Sequence, residues 1–385
     1  MPLVAQRGGI AMFDIFGVQI SWAQILAGFI GMQILGLAWS RTRQLIANMW
    51  DALFRFVPAV YRFHDMRRHF RGGGSIWSYR ATRRLTRKQR DSLPKVLTVM
   101  NFKGGVGKTT LVANLACSFA LKFGLKILVV DLDYQGSLTS LLKPAGLDEG
   151  RMNLAGDWLK TKHPHGVSAE YFTTKTIYPD LPIDLVTAGY ELTEVENNQL
   201  QRWLLHADDL SADLPTKFAR TLSWAKNGFT QYDLIIMDAP PRLSVASINA
   251  LVASSHVLIP AKLEHLATEP IRKLLDQLKQ LAVQFGAKFS VLGVVCNMTW
   301  KLDGPIQAEI PYFNSILSAL PQGSKLYQPF VPDKNYIGKP GTTAVAYMLG
   351  GKEGETVRSW FDQLAHEILQ DMELLDTDLR IVAAE

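Results

Sequence analysis

Two lysines, two aspartates and a threonine carry the chemistry that can be read in this sequence. Lys103 and Lys108 flank Gly104-Gly105-Val106-Gly107, and Thr109-Thr110 follow at once. Glycines at this spacing let successive backbone N–H groups wrap an anion. Lys108 can then reach terminal phosphates, and Thr109 can offer a hydroxyl to Mg²⁺. The helix that such a loop opens adds a favourable dipole for the same phosphates. Further along, Lys126 to Ser137 reads KILVVDLDYQGS, and Tyr232 to Pro241 reads YDLIIMDAPP. Both are apolar runs ending in aspartate, the first in the pair Asp131 and Asp133 and the second in Asp238. Carboxylates at the carboxyl edge of strands beside a phosphate loop hold Mg²⁺ or orient a water.

The second lysine, Lys103, is not needed to hold the phosphates of one nucleotide. Its ammonium makes sense if it compensates phosphate charge elsewhere, for example on a facing subunit. KGGVGKTT resembles the deviant Walker A box of the ParA/MinD family of P-loop ATPases, in which that lysine reaches across a nucleotide-sandwich dimer. The resemblance spans residues 95 to about 370. It implies ATP and Mg²⁺ as cofactors, slow hydrolysis of ATP, and a homodimer formed with ATP. Lys103, Lys108 and Asp133 take the catalytic roles. Gly104, Gly105, Val106, Gly107, Lys108, Thr109 and Thr110 cradle the phosphates, and Thr109 and Asp238 serve the metal, Asp238 through water. Asp133 matches the catalytic aspartate of the family's DxDPQG segment, although Tyr134 stands where the family has proline. Asp238-Ala239-Pro240-Pro241 resembles the Walker B and switch II segment. Asn297 stands where the family commonly contacts adenine. Phe330 to Asp333 resembles the late loop flanking the base, which nominates Pro332 and Asp333.

The elements that must position these groups are legible around them. Val96 to Met100 is a short apolar run rich in β-branched residues, as a buried strand requires. The helix after the loop carries Leu111, Leu115 and Phe119, and a second buried strand follows from Lys126. Strand–helix–strand at this spacing is a βαβ unit with a right-handed crossover. Ile183 to Glu196 reads as a strand and helix, and Val257–Pro260 and Val291–Cys296 as further buried strands. The expected fold is thus a doubly wound, mainly parallel α/β sheet of the P-loop type. Thr356 to Leu375 reads as a structural helix packing Trp360, Phe361, Leu364 and Ile368. It is too acidic for a membrane-binding tail.

Charge divides the chain. Residues 1–90 hold 14 Lys/Arg against 3 Asp/Glu, a balance of +11, which leaves −5 for residues 91–385 out of a total of +6. Ile15 to Trp39 is uncharged over 25 positions, about 37 Å as a helix against roughly 30 Å of hydrocarbon. Three readings compete: a membrane span, a helix buried on a partner, and a membrane-surface helix. The span is favoured, because Gln19, Ser21, Gln24 and Gln33 define no polar face. Arginines follow at Arg41, Arg43, Arg55, Arg62, Arg67 and Arg68, which places the carboxyl side in the cytoplasm. Ile46 to Tyr61 has helical apolar spacing and reads either as a membrane-surface helix or as one packed on the ATPase domain. Residues 1–71 are therefore expected to be a helical membrane anchor, residues 72–94 a flexible basic linker after Gly72-Gly73-Gly74, and residues 95–385 the ATPase domain.

Cys117 and Cys296 fall in apolar runs and form no CxxC pair, so neither a zinc nor an iron–sulfur site is expected. His163 and His165 read as surface-loop residues rather than metal ligands. The expected function is a switch at the inner (cytoplasmic) membrane that binds lipid, dimerises with ATP and recruits, positions or gates an unknown protein partner. A DNA-partition ATPase on the nucleoid is the main alternative, and nucleic acid is disfavoured by the −5 charge of the ATPase region. A defence or signalling ATPase is another. A bacterial tyrosine kinase is a poorer match, since Tyr347 is the last tyrosine.

Overall fold

The computed structural model describes residues 84–161, 168–205, 209–224, 228–265, 267–301, 304–334, 337 and 345–375. Of the first 83 residues it describes 5–7, 10–15, 18–21, 43, 44, 46, 48, 65–69, 71 and 77. The chain divides into two compact units, Met1–Tyr79 and Arg80–Glu385.

The first unit corrects one expectation. It contains an antiparallel three-stranded sheet of β1 (Ala5–Arg7), β2 (Ile10–Ile15) and β3 (Val18–Ser21). The apolar stretch from Ile15 is therefore not one continuous helix at its start. Val18-Gln19-Ile20-Ser21 alternates apolar and polar residues with two β-branched side chains, a period-two pattern that suits a strand. It pairs with β2 through Ile15↔Val18 and Met12↔Ser21. The remainder of the expected span, residues 22–39, lies outside the described residues, as does most of Ile46 to Tyr61. Among the described residues no helix is long and apolar enough to cross a membrane.

A second correction concerns the basic linker. Its carboxyl part is folded onto the second unit as α1 (Arg87–Asp91). Thr86 and Gln89 form a reciprocal capping box, which satisfies two orphan N–H groups at the helix start. Leu85 is buried, Arg84 Nη2 donates to the Val283 carbonyl at 3.1 Å, and Ser92 Oγ donates to the Ser223 carbonyl at 3.1 Å. The arginines of this segment thus include structural donors, and residues 84–92 belong with the domain.

The second unit then runs through β4 (Val96–Val99), α2 (Lys108–Leu121), β5 (Ile127–Asp131) and α3 (Ser137–Leu142). The short β6 (Thr174–Lys175) precedes β7 (Ile183–Val186) and α4 (Glu191–Leu204). After β8 (Leu234–Asp238) come α5 (Val245–Ala253), β9 (His256–Ala261) and α6 (Thr268–Phe285). The chain closes with β10 (Ser290–Thr299), α7 (Ile310–Ala319), β11 (Lys325–Pro332) and α8 (Gly351–Asp371).

The sheet order is β11-β10-β9-β4-β8-β5-β7-β6. Every pairing is parallel except β6 with β7. Every residue of β4, β5 and β8 is buried, as unbroken apolar runs must be when helices cover both faces. The crossover from β4 to β5 skips one position, and β8 fills it. Asp238 therefore sits between the strand that feeds the phosphate loop and the strand that ends in Asp131, in register with Val99 on one side and Asp131 on the other.

α8 packs as the sequence predicts, with Trp360, Phe361, Leu364 and Ile368 buried in the core shared with α2. Asp362 accepts from Ser118 Oγ at 2.7 Å and from the Tyr347 hydroxyl at 2.6 Å, tying α8 to α2. Cys117 and Cys296 are both buried, and burial pushes each thiol up to about 12, so both stay protonated.

Candidate nucleotide site

The phosphate loop leaves β4 and closes on α2. Gly105 and Gly107 take left-handed conformations, with φ of 68° and 80°, which side chains with a Cβ adopt at a cost. Gly107 is constrained twice, because an added Cβ would stand 2.9 Å from Asn297 Nδ2. Asn101 holds the loop's entry: its amide donates to the Pro260 carbonyl at 2.8 Å and its oxygen accepts from Lys103 N at 2.9 Å. Lys108 is buried and donates to the Lys103 carbonyl at 3.2 Å, so its ammonium lies inside the curl of the loop. Burial lowers its pKa, opposed by the charges of Asp238 and Asp133.

Thr109 Oγ1 donates to Asp238 Oδ2 at 2.7 Å. The other oxygen, Asp238 Oδ1, is buried with no hydrogen-bond partner. A buried carboxylate with an unsatisfied lone pair costs stability unless something comes to it. Burial, and then the neighbouring Asp131, raise its pKa. A hydroxyl hydrogen-bonded to a carboxylate with a free oxygen is a hard-oxygen donor set that suits Mg²⁺. Thr109 and Asp238 would hold the ion, Asp238 through water, and the ion would supply charge for phosphate oxygens. No group of three His, Cys, Asp or Glu side chains able to hold a metal occurs among the described residues; His163 and His165 lie outside them.

The second loop follows β5. Asp131 accepts from Thr139 N at 2.7 Å and Thr139 Oγ1 at 2.8 Å, and its other oxygen accepts from Asp133 N at 3.1 Å. The first aspartate of the pair is therefore a fully buried brace. Asp133 follows two residues on, near enough to Lys108 for its charge to favour the lysine's charged form. Asp133 Oδ1 accepts from Gln135 N at 3.1 Å, a local turn. Gly136, at φ 60°, lets the chain pass Ala188, whose carbonyl would lie 2.7 Å from any added Cβ.

On the far side, β10 brings Asn297 under the loop. Asn297 Nδ2 donates to the Val106 carbonyl at 2.9 Å, while its Oδ1 is buried without a partner. Pro332 pairs with Thr299, and Asp333 N donates to the Thr299 carbonyl at 3.0 Å, at the same carboxyl edge of the sheet. The fold thus gathers residues 103–110, Asp133, Asp238 and Asn297 around one loop. Pro332 and the exposed Asp333 stand three strands from the loop's own strand, with β9 and β10 between.

Sequence reasoning missed several supports. Asn101 and Thr139 each stand a few residues from a motif and brace it through the backbone. Glu264 pairs with Lys103, Nζ to Oε1 at 2.5 Å, with the two side chains 25% and 47% exposed. Nothing local marks Glu264, because its partner lies 161 positions away. Glu196 and Arg242 form another such long-range pair, at 3.3 Å.

The β4–loop–α2 unit, the carboxylates at the ends of β5 and β8, and the strand order define a P-loop nucleoside triphosphatase. A family model described as an AAA domain matches residues 94–291. The chromosome-partitioning ATPase Soj of Thermus thermophilus is 33% identical over 202 residues, covering 52% of this chain and 68% of Soj. The chromosome partitioning protein ParA of Caulobacter vibrioides is 29% identical over 204 residues, 53% of this chain and 69% of ParA. Among solved structures, the ATP complex of McdA from Cyanothece matches at a TM-score of 0.58 and 17% identity, over 74% of this chain and 98% of McdA. The cell division ATPase MinD of Pyrococcus furiosus matches at 0.50 and 21%, over 72% and 99%. The chain belongs to the ParA/MinD-like P-loop ATPases of this AAA-domain family.

Proposed function

We propose that this protein is an ATP-hydrolysing switch that binds ATP with Mg²⁺, dimerises in that state, and positions a protein partner at the inner (cytoplasmic) membrane until hydrolysis releases the dimer. The observation that carries the reading is the paired-lysine loop. Lys108 is sequestered inside it beside the Thr109–Asp238 pair, while Lys103 stands part-exposed at its rim. Phosphoryl transfer to water needs positioning and charge neutralisation more than covalent chemistry. Lys108 and the loop amides neutralise the phosphates, Thr109 and Asp238 would hold a Mg²⁺ that would supply further positive charge there, and Asp133 orients the water. Lys103 supplies its charge to the nucleotide of the facing subunit, which makes hydrolysis and dimerisation one event.

Membrane attachment is assigned to residues 1–71. With β3 ending at Ser21, residues 22–39 still give 18 uncharged positions, about 27 Å as a helix and within the usual range for a span. The arginines that follow support a cytoplasmic ATPase unit. The names of Soj and ParA favour a second reading, partition of DNA. One experiment separates the two. The full chain should remain with membranes through a high-salt wash and leave with detergent, because apolar burial is not screened. Release by salt, or sedimentation with DNA in membrane-free extract, would move the nucleoid reading ahead. ATP turnover and ATP-dependent dimerisation, read by phosphate release and light scattering, test the part that both readings share.

A further inference from the structure

Two loops approach the place where a terminal phosphate would lie: residues 132–136 after β5 and residues 239–244 after β8. In the family's pattern the first is stiffened by a proline after the aspartate. Tyr134 stands there in this chain, so the backbone restriction that proline would supply at that position is gone.

The structure shows what replaces it. The Tyr134 ring lies beneath the Arg242 guanidinium, 5.4 Å from Cζ to the ring centroid, and against Tyr190 at 6.2 Å. Arg242 belongs to the loop after β8, and its Nη2 is 3.3 Å from Glu196 Oε2. Glu196 is itself buried on α4, and its Oε1 accepts from Ala246 N at 2.7 Å, at the first turn of α5. A buried carboxylate thus anchors the arginine, the arginine covers the tyrosine, and the tyrosine is the next residue after Asp133. Among the described residues the Asp133 carboxylate accepts only from Gln135 N, within its own turn.

We infer that Tyr134, clamped by Arg242 and Glu196, is the positioning residue for Asp133, and that this clamp makes the loops after β5 and β8 move as one. The inference rests on the reading of Asp133 as the residue that orients the attacking water. Its consequence is specific. Loosening the clamp leaves the phosphate loop intact, so ATP binds as before, while the water is oriented less often. A small displacement of a catalytic group far outweighs its stability cost in rate. The ring acts through its face, so the phenolic hydroxyl is dispensable and the aromatic face is not.

The test uses the full chain and measures kcat and KM for ATP hydrolysis with Mg²⁺. Tyr134→Ala and the bulkier Tyr134→Leu should each lower kcat about tenfold with KM within about twofold of the parent, whereas Tyr134→Phe should restore the parental kcat. Arg242→Gln should match Tyr134→Ala, and the double variant should fall no further than the lower single, since both remove one interaction. Parental kcat in both Tyr134→Ala and Tyr134→Leu, a Phe variant as slow as Ala, or additive losses would overturn the inference. Asp133→Asn is the control on the underlying reading. If it alone hydrolyses at the parental rate, the role of Asp133 fails; if it is slow while both apolar Tyr134 variants are fast, only the clamp fails.

Discussion

The two loops that face the nucleotide are built in opposite ways. The phosphate loop is held by backbone geometry: left-handed glycines, the Asn101 brace, a buried lysine and the Asn297 amide beneath. The loop carrying Asp133 is held by side chains at its rim, the Tyr134–Arg242–Glu196 chain, with only Asp131 and Gly136 fixing its ends. Binding a polyphosphate calls for a cradle that exists before the ligand arrives, and backbone conformation supplies that. The proposed switch would call for a catalytic group whose position depends on neighbours, and contacts between side chains of different loops supply that. The contrast predicts that lesions in the first loop abolish binding while lesions in the second spare binding and slow turnover.

Lys108→Ala tests the first half and carries the largest expected effect. Removing the one buried ammonium of the cradle should weaken ATP affinity at least about a hundredfold, by loss of a charge-assisted contact in a poorly solvated site. Isothermal titration with ATP and Mg²⁺ reads this directly, and unchanged affinity would refute the phosphate-loop assignment. Asp133→Ala tests the second half. It should bind ATP within about threefold of the parent and hydrolyse it about a hundredfold more slowly, so a nucleotide-loaded dimer should accumulate in light scattering. Equal loss of binding in both variants would erase the distinction between the loops.

How much of this was legible beforehand follows the same division. The phosphate loop and the β8 aspartate are encoded locally, in consecutive residues whose backbone geometry the sequence dictates, so their placement was readable. The parallel sheet was readable too, because β4, β5 and β8 are predominantly apolar runs without the alternation of a half-exposed strand. Glu264, Glu196 and Arg242 were not, because each acts on a partner that only the tertiary fold brings near. The start of the N-terminal apolar stretch was misjudged because hydrophobicity alone does not separate strand from helix. The alternation Val18-Gln19-Ile20-Ser21 was the signal that charge-free length obscured. The flexible linker expected over residues 72–94 ends in a folded helix, which Thr86 and Gln89 spell in the sequence as a capping box.

A smaller effect is expected where the two kinds of support meet. Lys103 belongs to the phosphate loop, yet its ammonium is held by a side chain, Glu264, in the same protomer. If Lys103 acts across the proposed dimer, that pair competes with dimerisation. Glu264→Gln should then strengthen ATP-dependent association about threefold, the scale expected of one partly exposed ion pair, and Lys103→Ala should weaken it. Analytical ultracentrifugation with ATP measures both. Weaker association in Glu264→Gln would mean that the glutamate supports the lysine instead of restraining it.

The smallest effect separates the buried end of the Asp133 loop from its side-chain-held rim by pH. Burial raises the Asp131 carboxyl to about 7, against an ordinary value of 3.8, and its bonds from Thr139 and Asp133 only partly offset this. Between about pH 4 and 7 the folded protein therefore holds a proton at Asp131 that the unfolded chain has released. Stability must fall as pH rises through that window and level off above it. The neighbouring Asp238, also raised by burial, adds to the same slope. Thermal unfolding of the nucleotide-free protein should show a lower Tm at pH 7.5 than at about pH 5.5. Asp131→Asn should flatten the dependence, because an amide keeps the shape and does not ionise. Mg²⁺ with ATP should flatten it as well, since a bound cation favours the ionised carboxylates and removes the reason for holding the proton. Tyr134→Ala, which alters the rim of the loop and not its buried end, should leave the slope unchanged. A slope that moved with Tyr134 and not with Asp131 would invert the assignment of which part of this loop is rigid.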